Sequence, residues 1–266
     1  MDNEIGAIML KIIMRFFEMF FSKYSASGND FILMHTFRYN EDSYSNLAKQ
    51  ICHRQEGIGA DGLIVLKPHR EYDFEWEFYN ADGSVAEMCG NGSRAAGMYA
   101  RDLGLAGNSQ KFLSKAGMIG VEIEGDWAES ALSKAEVLKQ DICEFGKNWW
   151  LINTGVPHLV CEDLEIMGLN KEDLRFLRHK YNANINIASC REDRVLARTF
   201  ERGVEDETLA CGTGMAAMFY YLLLANKVKN PCLFNPASKE DLYLREENGK
   251  LYLKGKVRKI CDFIYP

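Results

Sequence analysis

The chain of 266 residues is 47% hydrophobic and 26% charged, a globular balance that excludes disorder, collagen-like repeats and a disulfide-dense miniprotein. Its 32 Lys+Arg against 38 Asp+Glu leave a net charge of −6. That is too acidic for neutralising many phosphates, so no nucleic-acid partner is expected. At this length two domains are favoured over one.

In chain order, the apolar run MLKIIMRFFEMFF comes first, interrupted by Lys11, Arg15 and Glu18. Its uncharged stretches fall well short of the ~20 residues of a membrane span. Asp2 and Glu4 precede it where a secretion signal carries positive charge, so no membrane role is expected and residues 1–18 are read as an extension outside the fold. The alternating FFSKYSASGNDFILM then reads as strand, followed by strands at 63–67 (LIVLK) and 75–80 (EWEFYN). Helices are expected from Gly90 to Leu103 and from Gly212 to Asn226. LYLREENGKLYLKGKV places two alternating runs around Asn248-Gly249, a two-residue hairpin signal, and KICDFIYP reads as a last strand. The expected class is mixed α/β. Eight cysteines without a C-x-x-C pair exclude a zinc ribbon and point to a reduced, cytoplasmic protein. The histidines show no metal-site spacing.

The chain also resembles itself. SGNDFILM at Gly28 is echoed by TGVPHLVC at Gly155, HRQEGIGADGLIVL at His53 by RHKYNANINIAS at Arg178, and MCGNGSRAAGMYA at Cys89 by ACGTGMAAMFYYL at Cys211. Three stations in one order at nearly constant spacing predict two related α/β halves facing across a cleft.

The third station of each half is a cysteine, then Gly-x-Gly, then a helix. Glycines there admit a ligand close to the backbone, and the free N–H groups and helix dipole favour an anion. The same field is expected to turn Cys89 and Cys211 into thiolates. With a carboxylate held between the two helix starts, its α-carbon lies between two sulfurs. One removes the α-proton from one face and the other delivers a proton to the opposite face, inverting the centre without a cofactor.

SASGNDF, GIGADGLIVL, FYNADGSVAEMCGNGSR, TGVPH, NANINI and ERGVEDETLACGTG, in this order from about Lys23 to the final strand, resemble the diaminopimelate epimerase family. The resemblance implies interconversion of LL- and meso-2,6-diaminopimelate without pyridoxal phosphate, on the way to lysine and peptidoglycan. It also implies a homodimer of chains with two pseudo-symmetric domains, each a mixed sheet around a central helix. On this chain they are placed at 19–133, joined by the final strand 258–266, and at 134–257. By motif, Cys89 and Cys211 match the acid/base pair, and Gly90-Asn91 and Gly212-Thr213 the turns that hold the reacting carboxylate. Asn29, Asn80, Asn184, Glu201 and Arg202 match substrate contacts, and His158 and Glu201 match positions that tune the thiols. The chain departs from the family pattern at Val156, at Gly62 and in a one-residue-longer ERGVEDETLAC loop.

Competing readings are weaker. GIGADG precedes a strand, whereas a dinucleotide fingerprint follows one. Cys89 lacks the arginine six positions on that a cysteine phosphatase needs. A proline-racemase-like isomerase has less use for Glu201 and Arg202, and a non-catalytic carboxylate-binding module has no need of two thiols.

Overall fold

A computed structural model describes residues 19–37 and 43–265; the extension expected over 1–18 lies outside the described residues. The first strand pair is β1 (Met19–Ala26) and β2 (Asn29–His35). Where one continuous strand was expected, Ser27 and Gly28 at φ 54° and 87° fold the segment into a tight hairpin. Then come β3 (Gly62–Lys67), β4 (Phe74–Asn80), β5 (Val85–Ala86), β6 (Ser109–Ser114), β7 (Gly117–Glu124) and β8 (Trp127–Ala131). The second half contributes β9 (Glu136–Glu144), β10 (Lys147–Asn153), β11 (Pro157–Glu162), β12 (Asn184–Cys190), β13 (Val195–Glu201), β14 (Asp206–Thr208), β15 (Cys232–Asn235) and β16 (Leu242–Glu247). Among the described residues the helices are α1 (Ser45–Ile51), α2 (Gly90–Asp102), α3 (Lys171–Tyr181) and α4 (Gly212–Leu224).

The repeat in the sequence is a repeat of ladders. β2 and β3 run parallel, as do β4 and β6, with antiparallel β3–β4 and β6–β7 pairs between and beside them. β11 and β12 are likewise parallel, as are β13 and β15, with antiparallel β12–β13 and β15–β16. The last strand, β17 (Lys250–Tyr265), is longer than expected. The hairpin strand and the terminal strand are one element, because no turn residue with positive φ separates them. Its start pairs with β16 and β8, and from Val257 onward it pairs with β1. The strand therefore passes from the second half into the first.

Each half wraps its strands around one helix. α2 is buried from Gly90 to Ala100 and packs into a core with Phe31, Ile64, Trp76, Phe112 and Val121. α4, GTGMAAMFYYLLL, is apolar nearly all round, as a helix enclosed by sheet must be, and shares its core with Ile152, Val160, Phe234 and Leu253. Outer helices cover the far faces. α1 seats Ala48 and Ile51 against Ile32, Leu63 and Val65. α3 starts on an Asn170/Asp173 capping box and seats Leu174 and Leu177 against Leu159, Ile185 and Ile187. Covered on both faces, β3 is buried at every position, which explains its uninterrupted apolar run.

Candidate active site

The two central helices begin at one cleft. Cys89 and Cys211 are their N-cap residues, both extended (φ −149°, ψ 117° and φ −119°, ψ 109°). Short returning strands deliver them: β5 against β4 in one half and β14 against β13 in the other. The helix starts face each other closely, since a Cβ on Gly212 would lie 4.0 Å from Asn91 Oδ1. Leu132 and Leu253 close matching positions behind Gly90 and Gly212. The halves also touch at the hairpin turn, where a Cβ on Gly28 would meet Leu209 Cβ at 3.0 Å.

The cleft encloses about 660 Å³ and is lined by Asn29, Asn80, Cys89, Gly90 and Asn91 from the first half and by Glu201, Cys211, Gly212 and Thr213 from the second. Nine residues expected from sequence thus come together. Asn184, Arg202 and His158 do not line it. Asn184 Oδ1 accepts from the backbone N–H of Arg202 at 2.7 Å, and the exposed Arg202 guanidinium reaches back to the Asn182 carbonyl at 3.4 Å. The turn with Gly203 at φ 92° and Glu205 at φ 57° follows directly. His158 is fully buried beside Asn186.

Asn186 determines the state of that ring. Its Nδ2 donates to the Asn184 carbonyl and its Oδ1 accepts from Thr199 Oγ1, so the amide orientation is set and His158 Nδ1, 3.0 Å away, accepts. The ring is neutral with its proton on Nε2. Burial holds its pKa down at about 3. Gly214 packs against the same amide: a Cβ there would fall 2.3 Å from Asn186 Oδ1.

Cys89 Sγ accepts from the Gly92 N–H at 3.4 Å, and Cys211 Sγ lies 3.5 Å from Thr213 Oγ1. The expectation that the helix ends make both cysteines thiolates is corrected here. Burial outweighs the N–H donors, pushing Cys89 up and Cys211 up to about 12, the latter with help from the Glu201 charge. Burial also raises Glu201, opposed by the Thr208 hydroxyl. The resting cleft therefore holds two thiols.

Sequence reading missed several contributors. Asn91 Nδ2 donates to Asn29 Oδ1 (2.7 Å), Asn29 Nδ2 to Asp61 Oδ2 (2.8 Å), and Arg54 bridges Asp61 and Asp30. Thr154 Oγ1 donates to the Thr213 carbonyl at 2.9 Å. Asn186 was detectable as a polar residue in step with Asn184 on an apolar strand.

Two pseudo-symmetric sheet-wrapped helices with a cleft at their N-termini define a fold class shared with a solved Enterococcus faecalis protein described as phenazine biosynthesis protein PhzF family. That structure matches with a TM-score of 0.75 at 12% identity, covering 94% of this chain and 99% of the other. The family model for diaminopimelate epimerase matches residues 21–137. A diaminopimelate epimerase of a Nitratiruptor species is 56% identical over 241 residues, 90% of this chain and 96% of the relative. One from Campylobacter jejuni is 47% identical over 243 residues, again 90% and 96%. The chain belongs to the diaminopimelate epimerase family.

Proposed function

We propose that the chain interconverts LL- and meso-2,6-diaminopimelate in lysine and peptidoglycan-precursor synthesis, using Cys89 and Cys211 as a proton-transferring pair without pyridoxal phosphate. The observation that carries this reading is the convergence of the thiols of two helix N-cap residues, one from each half, on one cleft. N–H groups at Gly90-Asn91 and Gly212-Thr213 bind the reacting carboxylate. One sulfur first loses its proton to solvent as the substrate enters and then, as thiolate, takes the α-proton: the C–H bond breaks, an S–H bond forms, and the electron pair moves into the carboxylate. The opposed thiol then protonates the carbon on its other face and is left as thiolate, ready for the reverse reaction. Exclusion of water by the bound substrate strengthens the N–H contacts to the developing charge. Glu201 serves the ammonium of the substrate and tunes Cys211. His158 acts on the second helix start through Asn186, and Asn29 and Asn80 are amide contacts on the opposite wall. Asn184 and Arg202 reach the distal end only if the 202–205 turn moves inward as the cleft closes.

The division into 19–133 with 258–266, and 134–257, belongs to this reading and is supported by the repeated ladders. A homodimer is supported by the apolar pair Phe20 and Ile264, directly opposed on β1 and β17 and both exposed, with Ile260 nearby. Net charge argues against nucleic acid, and no helix among the described residues is long and apolar enough to cross a membrane; a cytoplasmic location accords with the scattered free cysteines.

The test is epimerisation of LL-diaminopimelate in deuterated water without added cofactor, beside L-proline and 4-hydroxyproline. Early product should carry solvent deuterium while residual substrate stays protiated. Equal early labelling of both would indicate a single base, and turnover of the prolines alone would transfer the assignment to a proline-racemase-like enzyme.

A further inference from the structure

The two helix starts are built on different floors. Under Cys211 lie His158, Asn186 and Thr199; the positions that match them by register in the first half are Phe31, Ile64 and Phe78. The first half has a different polar group. Arg94, five residues after Cys89, is wholly buried, and Ala216 stands five residues after Cys211.

None of the hydrogen bonds of Arg94 goes to a carboxylate. Nη2 donates to Ser27 Oγ and to Asn91 Oδ1, both at 2.7 Å, and Nη1 to the Gly90 carbonyl at 3.3 Å. Nε has no hydrogen-bond partner among the described residues. A buried cation with neutral partners alone is costly. Hydrogen bonding by itself could be served there by a neutral amide; the charge is balanced through space by Glu240 and by the thiolate that Cys89 can form, and of these two only Cys89 lines the cleft.

We propose that Arg94 is a positioning residue for proton transfer at Cys89: its guanidinium is the buried counter-charge to the Cys89 thiolate and holds Asn91, and through it Asn29, in the cleft wall. The inference rests on the two-thiol reading above. Besides Arg94, Cys89 is faced by the N–H groups of Asn91 and Gly92, which favour the thiolate, and by Glu201 of β13, which opposes it. Cys211 stands across the cleft. Arg94 in turn feels Cys89 and Glu240. Burial lowers Arg94 to about 10, which leaves it cationic at neutral pH. The second half supplies no such cation at Ala216, so the two thiols are inequivalent and Cys89 is the one that ionises more readily.

The test uses the full chain with Arg94→Met and Arg94→Lys. Iodoacetamide alkylation is followed against pH by mass spectrometry of the Cys89 and Cys211 peptides, with steady-state kinetics and thermal melting alongside. In Arg94→Met the Cys89 midpoint should rise by roughly one pH unit or more while the Cys211 midpoint stays in place. Arg94→Lys keeps the charge but cannot fork between Ser27 and Asn91. Its Cys89 midpoint should stay near the parent's while kcat falls by roughly tenfold with KM less affected. An unmoved Cys89 midpoint in a folded Arg94→Met protein, or equal movement of both cysteines, overturns the counter-charge. Parental turnover in Arg94→Lys overturns the positioning role, and that variant decides alone should Arg94→Met not fold. The alkylation profile needs no turnover, so these outcomes are distinct from failure of the two-thiol reading, which a fully active Cys89→Ala enzyme would show.

Discussion

Burial drives Cys89, Cys211, His158 and Glu201 all towards their neutral forms, so a single proton matters at the two helix starts. Cys89→Ala and Cys211→Ala should each abolish epimerisation, because inversion needs a group on each face, while costing only about 1 kcal/mol of stability. Near-parental turnover by either variant, read by chiral chromatography, would refute the pairing. His158 makes a prediction about stability. Its folded pKa of about 3 lies below the ordinary imidazole value of 6.5, so between those values the unfolded chain binds more protons. Stability should then fall as pH drops from 6.5 towards 3, by about 1.4 kcal/mol per unit from this group alone. His158→Phe, which copies Phe31 of the first half, should flatten that slope in denaturant titrations. An unchanged slope would mean the imidazole is not held neutral. Individual residues were legible where a motif surrounds them, as at Cys89 and Cys211. Arg94 stood inside a motif, yet its burial could not be read, because a lone arginine in a sequence says nothing of what covers it.

At the scale of elements, the central helices and β3 were plain in the sequence because their pattern is extreme: Gly-x-Gly starts followed by small or apolar residues, and a strand covered on both faces. The hairpin at Ser27-Gly28 was hidden because the alternation on either side is in phase across a two-residue turn. α1 has seven residues and no side-chain cap, too little periodicity to detect, and α3 buries only Leu174 and Leu177. The placement of Asn184 and Arg202 off the cleft wall depended on the path of the 202–205 turn, which residue types alone do not determine. The close seating of α4 on β12 yields a sharp expectation. Gly214→Ala would thrust a methyl into Asn186, so the amide must shift and release His158 and Thr199. Activity should fall by roughly tenfold or more and the melting temperature by several degrees. A variant that melts and turns over like the parent would show that the helix start can slide without consequence.

Over the whole molecule, the repeat was readable from three echoed stations, and the structure adds that the echo extends to strand direction and pairing order. The surface expectation concerns association. Ile264→Asp places a charge on the exposed β1–β17 face opposite Phe20 and should convert a dimer to monomers in light scattering, without unfolding the chain. A dimer that survives would locate the interface elsewhere.

The passage of β17 from one half to the other also bears on how the chain is made. The first half has its helix, its cleft wall and most of its strands by residue 131, yet β1, paired with β2 on one side, has as its other partner the segment from Val257 to Tyr265, more than a hundred residues later. While the second half is being synthesised, β1 presents an unpaired edge bearing Phe20 and Phe21, the kind of edge that invites pairing with other chains. Completion of the first half thus waits on a segment made only after the whole second half. The slow step of folding should be the closure of β17 onto β1, a contact of very high sequence separation, and a protein halted just before it would be the species that aggregates.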